Sequence, residues 1–127
     1  MSANAKEDQV AKAIVDCALK VHKELGPGLL EKVYEACLAF ELENRGFCVE
    51  RQKAITVEYG GKKFDEGFRL DLLVNGCIIV ELKAAEKPNP LWQAQLLSYM
   101  KLSGKKLGLI INFHTPLIKY GIQRMTL

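Results

Sequence analysis

The apolar pattern of this chain first changes period near Gly46-Phe47, and that change limits the folds open to it. Upstream, Val10, Ile14, Cys17 and Val21 recur at helical spacing, which predicts an amphipathic helix over about residues 5–24. Gly26-Pro27-Gly28 stops it. Leu30, Val33, Tyr34, Cys37, Leu38 and Leu42 then predict a second helix from Leu29 to Arg45, buried along that stripe, with Gly46 as its C-terminal stop. Downstream the chain reads as strands. Cys48 to Tyr59 is one with an irregular start, Lys62 to Val74 a second and Cys77 to Ala84 a third, with turns at Gly60-Gly61 and Asn75-Gly76. Pro88-Asn89-Pro90 opens a third helix, with Asn89 as N-cap and Pro90 at the first helical position; it runs to about Leu102. Leu107 to Phe113 is an apolar run expected of a strand buried on both faces, and Leu117 to Met125 reads as an edge strand.

The fold class is therefore α/β, in the order α-α-β-β-β-α-β with the tail strand added. A helical crossover between strands normally makes a parallel, right-handed connection. The expected result is one domain over residues 1–127, a mixed β-sheet flanked by helices on both faces.

Composition narrows the function classes. Hydrophobic residues make up 49% and charged residues 26%, the balance of an ordinary globular domain. No apolar run approaches the roughly 20 residues of a membrane span, and the polar, acid-bearing stretch Met1 to Asp8 does not read as a signal peptide, so a cytoplasmic location without membrane association is expected. A net charge of +3 neither announces nor forbids nucleic-acid binding. Cys17, Cys37, Cys48 and Cys77 show no metal-ligand spacing; Cys17 and Cys37 lie on helix stripes, where a reduced thiol acts as a small hydrophobe. His22 and His114 lack metal-ligand company, Trp92 reads as a packing anchor, and Glu41, inside the second helix's stripe, is expected to need a basic partner such as Arg69.

The chemistry concentrates in two strands. In Ile78-Ile79-Val80-Glu81-Leu82-Lys83, alternation puts Glu81 and Lys83 on one face and Val80 and Leu82 on the other. An acid and a base thus stand side by side on a strand that otherwise reads as buried. The plain interpretation is a strand-edge ion pair. Asp71, in the equally apolar Leu70-Asp71-Leu72-Leu73-Val74, suggests more. If Asp71 lies opposite Glu81, then Asp71, Glu81 and Lys83 share one face, and Leu70, Leu72, Val74, Ile78, Val80 and Leu82 share the other. A two-residue Asn75-Gly76 hairpin would instead put Asp71 opposite Val80. Convergence therefore requires a three-residue loop or a bulge. Two adjacent carboxylates make a hard oxygen site suited to Mg²⁺ or Mn²⁺, and a neighbouring lysine can orient water or stabilise charge on a phosphate.

Asp71, then nine intervening residues, then Glu81-Leu82-Lys83, resembles the D…(D/E)xK signature of the PD-(D/E)XK nuclease superfamily, whose core is restriction-endonuclease-like. Gly28-Leu29-Leu30-Glu31-Lys32-Val33-Tyr34 is similar to the motif of the GxxExxY proteins, a bacterial and archaeal branch of it. The resemblance spans about Val10 to Phe113. It implies that Asp71, Glu81 and the backbone carbonyl of Leu82 bind the metal and that Lys83 is the catalytic lysine. It further implies a glutamate from the preceding helix, Glu31 or Glu35. Glu35 is favoured, since its distance from Gly46-Phe47 resembles that in archaeal Holliday-junction resolvases. Gln95 and Tyr99 have the QxxxY spacing of RecB-type nucleases and, with Arg69, would support the site or touch nucleic acid. The proline that often precedes the first acid is replaced by Leu70.

Two functions follow. The first is a Mg²⁺-dependent deoxyribonuclease that hydrolyses phosphodiester bonds with metal-activated water. The second is a catalytically idle nucleic-acid-binding or protein-interaction module that keeps the fold. Without a DNA-reading appendage, specificity would come from a partner, from a homodimer or from DNA shape.

Overall fold

The structure, a computed structural model, describes residues 5–127; the first four residues of the polar N-terminal stretch lie outside it. Helices α1 (Ala5–Leu25) and α2 (Glu31–Asn44) precede strands β1 (Val49–Tyr59), β2 (Lys62–Val74) and β3 (Ile78–Lys83). Helix α3 (Leu91–Ser103) then leads to β4 (Leu107–Asn112), a 3₁₀ turn (Ile118–Gly121) and β5 (Ile122–Thr126). The sheet runs β1-β2-β3-β4-β5. Three antiparallel strands lead, α3 carries the chain to β4 parallel to β3, and β5 closes antiparallel at the edge.

Each face of the sheet is covered, as the period pattern requires. Ile14, Cys17, Tyr34, Leu38 and Leu42 from α1 and α2 pack on Leu72, Val74, Ile78, Val80, Leu82, Leu109 and Ile111. On the other face Leu96 and Met100 from α3 pack on Leu70, Leu73, Ile79 and Ile110. Strand β4 is buried throughout, matching its all-apolar sequence. Among the described residues, no helix is long and apolar enough to cross a membrane.

Four expectations shift. In α2 the stripe is rotated: Leu30 is 78% exposed and Val33 39% exposed, while Glu35 is buried with Tyr34, Leu38 and Leu42. Tyr34 is drawn inward because its ring stacks on Phe113 at 4.3 Å. Its hydroxyl donates to Gly26 O at 2.6 Å and accepts from Leu29 N–H at 3.1 Å. The helix then starts at Glu31, with Leu30 as its extended N-cap. Second, α3 begins at Leu91, although Asn89 Oδ1 does accept the Leu91 N–H at 2.9 Å and Pro90 has helical dihedrals. Third, Glu41 pairs with Lys20 at 3.0 Å, across the α1–α2 contact, and not with Arg69. Last, Leu70 packs with Leu73 and Ile79, not with Leu72. The phase breaks at Asp71 because Gln52, lying between the pairs Arg51↔Leu72 and Lys53↔Leu70, takes φ 52°. Of the helical thiols Cys17 is buried and Cys37 half-buried; Cys48 is exposed.

Candidate active site

The β2–β3 hairpin turns through Asn75, Gly76 and Cys77, with the ladder closing at Val74↔Ile78. Asn75 and Gly76 both take positive φ, 52° and 63°, as a tight hairpin turn needs. This three-residue loop is the register shift that convergence of the acids required. The ladder runs back only to Leu72↔Val80. Beyond that pair the strands fork, and the two acids occupy the opening. Asp71 N–H donates to Glu81 Oε2 at 3.0 Å, and Leu82 N–H donates to Asp71 Oδ2 at 2.8 Å. Each carboxylate thus takes up a backbone donor near the point where the ladder ends.

The electrostatics are those of crowded acids. Glu81 is 5% exposed. Burial and then the charge of Asp71 push its carboxyl up to about 8, against the opposing pull of the Asp71 N–H and of Lys83. Burial also raises Asp71; the Leu82 N–H opposes this and the charge of Glu35 adds to it. Glu31, at the first turn of α2, is raised by burial and then by Asp71, while Lys83 lowers it. Glu31 therefore sits within electrostatic reach of the fork.

Glu35 is engaged elsewhere. Arg51 Nε donates to its Oε2 at 3.1 Å and Gln52 Nε2 to its Oε1 at 2.6 Å. Gln52 also reaches Asp71 Oδ1 at 3.4 Å, so it links the α2 glutamate to the fork. Arg51 and Gln52 carried no expectation from the sequence. Their signal was the polar run Arg51-Gln52-Lys53 interrupting the strand's apolar alternation. Lys83 is half-buried, and its Nζ lies 5.6 Å from the Trp92 ring centroid, a cation–π contact that steers the ammonium. Tyr99 stacks on Phe68 at 4.0 Å, and burial, Glu81 and Asp71 raise its hydroxyl, which places it on the acids' side. Gln95 is exposed. Arg69 is exposed and donates to Gln52 O at 3.0 Å.

The donors available to a cation are hard oxygens. Among the described residues no three His, Cys, Asp or Glu side chains close on one point. The compact donor pair is Asp71 with Glu81, leaving room for backbone carbonyl and water ligands of the kind Mg²⁺ retains. A buried Glu81, raised by burial and then by Asp71, beside a half-buried Asp71, raised by burial and by Glu35, fits a divalent cation, which would offset the crowded negative charge.

Searches of curated proteins and of solved structures found no match. A family profile described as the PD-(D/E)XK nuclease superfamily matches residues 8–125. That span takes in both helices before the sheet, the forked strands and the crossover, so the chain belongs to the PD-(D/E)XK nuclease superfamily.

Proposed function

We propose that this protein is a divalent-metal-dependent nuclease that hydrolyses phosphodiester bonds in DNA. What supports this is the meeting of Asp71 and Glu81 in a buried strand fork with Lys83 on the same strand as Glu81. Asp71, Glu81 and the carbonyl of Leu82 would hold Mg²⁺ or Mn²⁺. When bound, such a cation acidifies water and offsets charge developing on the phosphate. Lys83, held near the fork by Trp92, orients the attacking water or stabilises a phosphate oxygen. Glu31 adds negative charge at the mouth of the site, and Glu35 acts at one remove by fixing Gln52 against Asp71. Gly28, Glu31 and Tyr34 support placing the chain in the GxxExxY branch: Tyr34 ties down the Gly26–Leu29 loop from which α2, and with it Glu31, starts.

The test is cleavage of single-stranded, duplex and branched DNA with Mg²⁺ or Mn²⁺. Wild type is expected to cut at least one form, and Asp71→Ala and Glu81→Ala to cut none. Cleavage surviving both substitutions would refute the site. Binding without cleavage would move the assignment to the idle module.

A further inference from the structure

Strands β1 and β2 are 11 and 13 residues long, whereas β3 is 6. Strand β3 pairs only with Leu72–Val74 of β2, so from Lys62 to Asp71 the β1–β2 hairpin continues as a two-stranded arm. Lys62 precedes Asp71 by nine positions, which is roughly 30 Å of extended strand.

Directly opposed residues share a face, so the ladder sorts the arm's side chains. The pairs Lys53↔Leu70 and Ile55↔Phe68 fall on one face; beyond the register slip at Thr56, the alternation of β1 carries Val57↔Phe64 and Tyr59↔Lys62 to the same side. Leu70, Ile55 and Phe68 of that set pack with α3, so it continues the surface on which Phe68 stacks with Tyr99. Lys62 Nζ lies 5.2 Å from the Phe64 ring centroid, and Tyr59 is 78% exposed at the tip. These ladder positions carry aromatic rings and two lysines but no acid; Lys53 is paired with Glu50 at 3.0 Å. The other face differs: there Lys63 stands opposite an acid, Glu58.

Aromatic rings interleaved with lysines form a stacking platform with cations for the backbone. The surface leads toward the fork: Phe68 stacks on Tyr99, whose hydroxyl feels the charges of Glu81 and Asp71. We propose that this face of the arm binds an unpaired nucleic-acid strand leading to the Asp71–Glu81 fork, with Tyr59 stacking on a base and Lys62 contacting phosphates. The ligand class rests on the nuclease reading. A single strand is favoured over a duplex because a ring offered from a narrow ribbon reaches a base's π-face only when that base is unpaired. A duplex held by charge alone would gain from Lys62 and Lys63 alike.

The experiment measures fluorescence anisotropy of the full chain with labelled oligothymidylate of about 20 nucleotides, long enough to span the arm, in metal-free buffer so that nothing is cut. The Tyr59→Ala/Lys62→Gln double variant is expected to bind at least about tenfold more weakly, from the loss of one stacked base and one phosphate contact. Lys63→Gln, on the other face, is expected to stay within about twofold, and a duplex of equal length to bind more weakly than the single strand. A Tyr59→Phe and Tyr59→Leu pair guards against misfolding: Phe should keep the affinity and Leu should lose it. The proposal is overturned if the double variant binds as wild type, if Lys63→Gln loses as much, or if the duplex binds more tightly. Cleavage is read separately. A wild type that never cuts, yet loses single-strand affinity through Tyr59 and Lys62, would refute the nuclease and leave the arm standing.

Discussion

Asp71 and Glu81 face each other across a strand fork, where the N–H of Asp71 is bound by Glu81 Oε2 at 3.0 Å and Asp71 Oδ2 binds the N–H of Leu82 at 2.8 Å. The arrangement uses acids as plugs for backbone donors. It makes them structural and electrostatically uncomfortable at once, because two carboxylates share a mostly dry opening.

The first prediction is a pH dependence of stability. Glu81 is raised from 4.5 to about 8, chiefly by burial. Between these values the native state binds the proton that the unfolded state releases. Stability is therefore undiminished below about 4.5, falls as pH rises through the window, and levels off above about 8. The loss is on the order of a few kcal/mol. Urea titrations of the metal-free protein at several pH values should show this fall. Added Mg²⁺ should flatten it, and Glu81→Gln should remove most of it while raising the melting temperature at pH 8. A flat profile in wild type would show that Glu81 is not held in a dry, acidic site.

A second prediction concerns Lys83 and Trp92. The ammonium sits 5.6 Å from the indole centroid, so the ring limits where it points. Lys83→Ala should lower kcat by about 10²–10³, the scale of losing a group that stabilises charge in the transition state. Trp92→Ala should lower kcat about tenfold with KM little changed, since the lysine remains but is less well aimed. Trp92→Phe should restore much of that. Single-turnover cleavage measures all three; a Trp92→Ala enzyme with wild-type kcat would show the contact to be incidental.

The order of elements is legible in the sequence because periods 3.6 and 2 meet at Gly46-Phe47 and each element is long enough to show its own. The register between Asp71 and Glu81 is legible too, because only one register leaves both acids on a common side with Leu72, Val74, Ile78, Val80 and Leu82 buried together. The rotation of α2 is not. It depends on Tyr34 finding Phe113, 79 residues away in the chain, and on Glu35 finding Arg51 and Gln52. A polar residue buried by a distant partner looks like a solvated one from its neighbours alone. The phase break that sends Leu70 to the α3 side is hidden for the same reason, since it originates at Gln52 on the adjacent strand.

Tyr34 carries the third prediction. Its hydroxyl gives one hydrogen bond to Gly26 O and takes one from Leu29 N–H, inside a fully buried stack with Phe113. Tyr34→Phe keeps the ring and leaves a carbonyl and an N–H without that partner. The expected cost is about 1–3 kcal/mol, visible as a lower urea midpoint with an unchanged m-value. The loop before Glu31 should also loosen, so amide exchange in Gly26–Leu29 should accelerate more than in β4. Unchanged exchange there would mean that the loop is held by other contacts.

The last prediction tests the middle of the β1–β2 arm. The register slips between Ile55 and Val57, where Thr56 alone faces the segment Asp65-Glu66-Gly67. There the two backbones approach so closely that a Cβ on Gly67 would lie 1.8 Å from Ile55 O and 2.9 Å from its carbonyl carbon. Neither atom belongs to a side chain that can swing aside, so Gly67→Ala must open the bulge. The expected penalty is at least about 2 kcal/mol, in the range of steric strain at a special backbone position. It should appear as a lower melting temperature, with chemical-shift changes centred on Ala54–Phe68. Because Ile55 and Phe68 also pack against α3, the damage should reach the Phe68–Tyr99 stack while leaving α1 and α2 quiet. A variant as stable as wild type, with shifts confined to residue 67, would show that the arm tolerates a wider bulge than its geometry indicates.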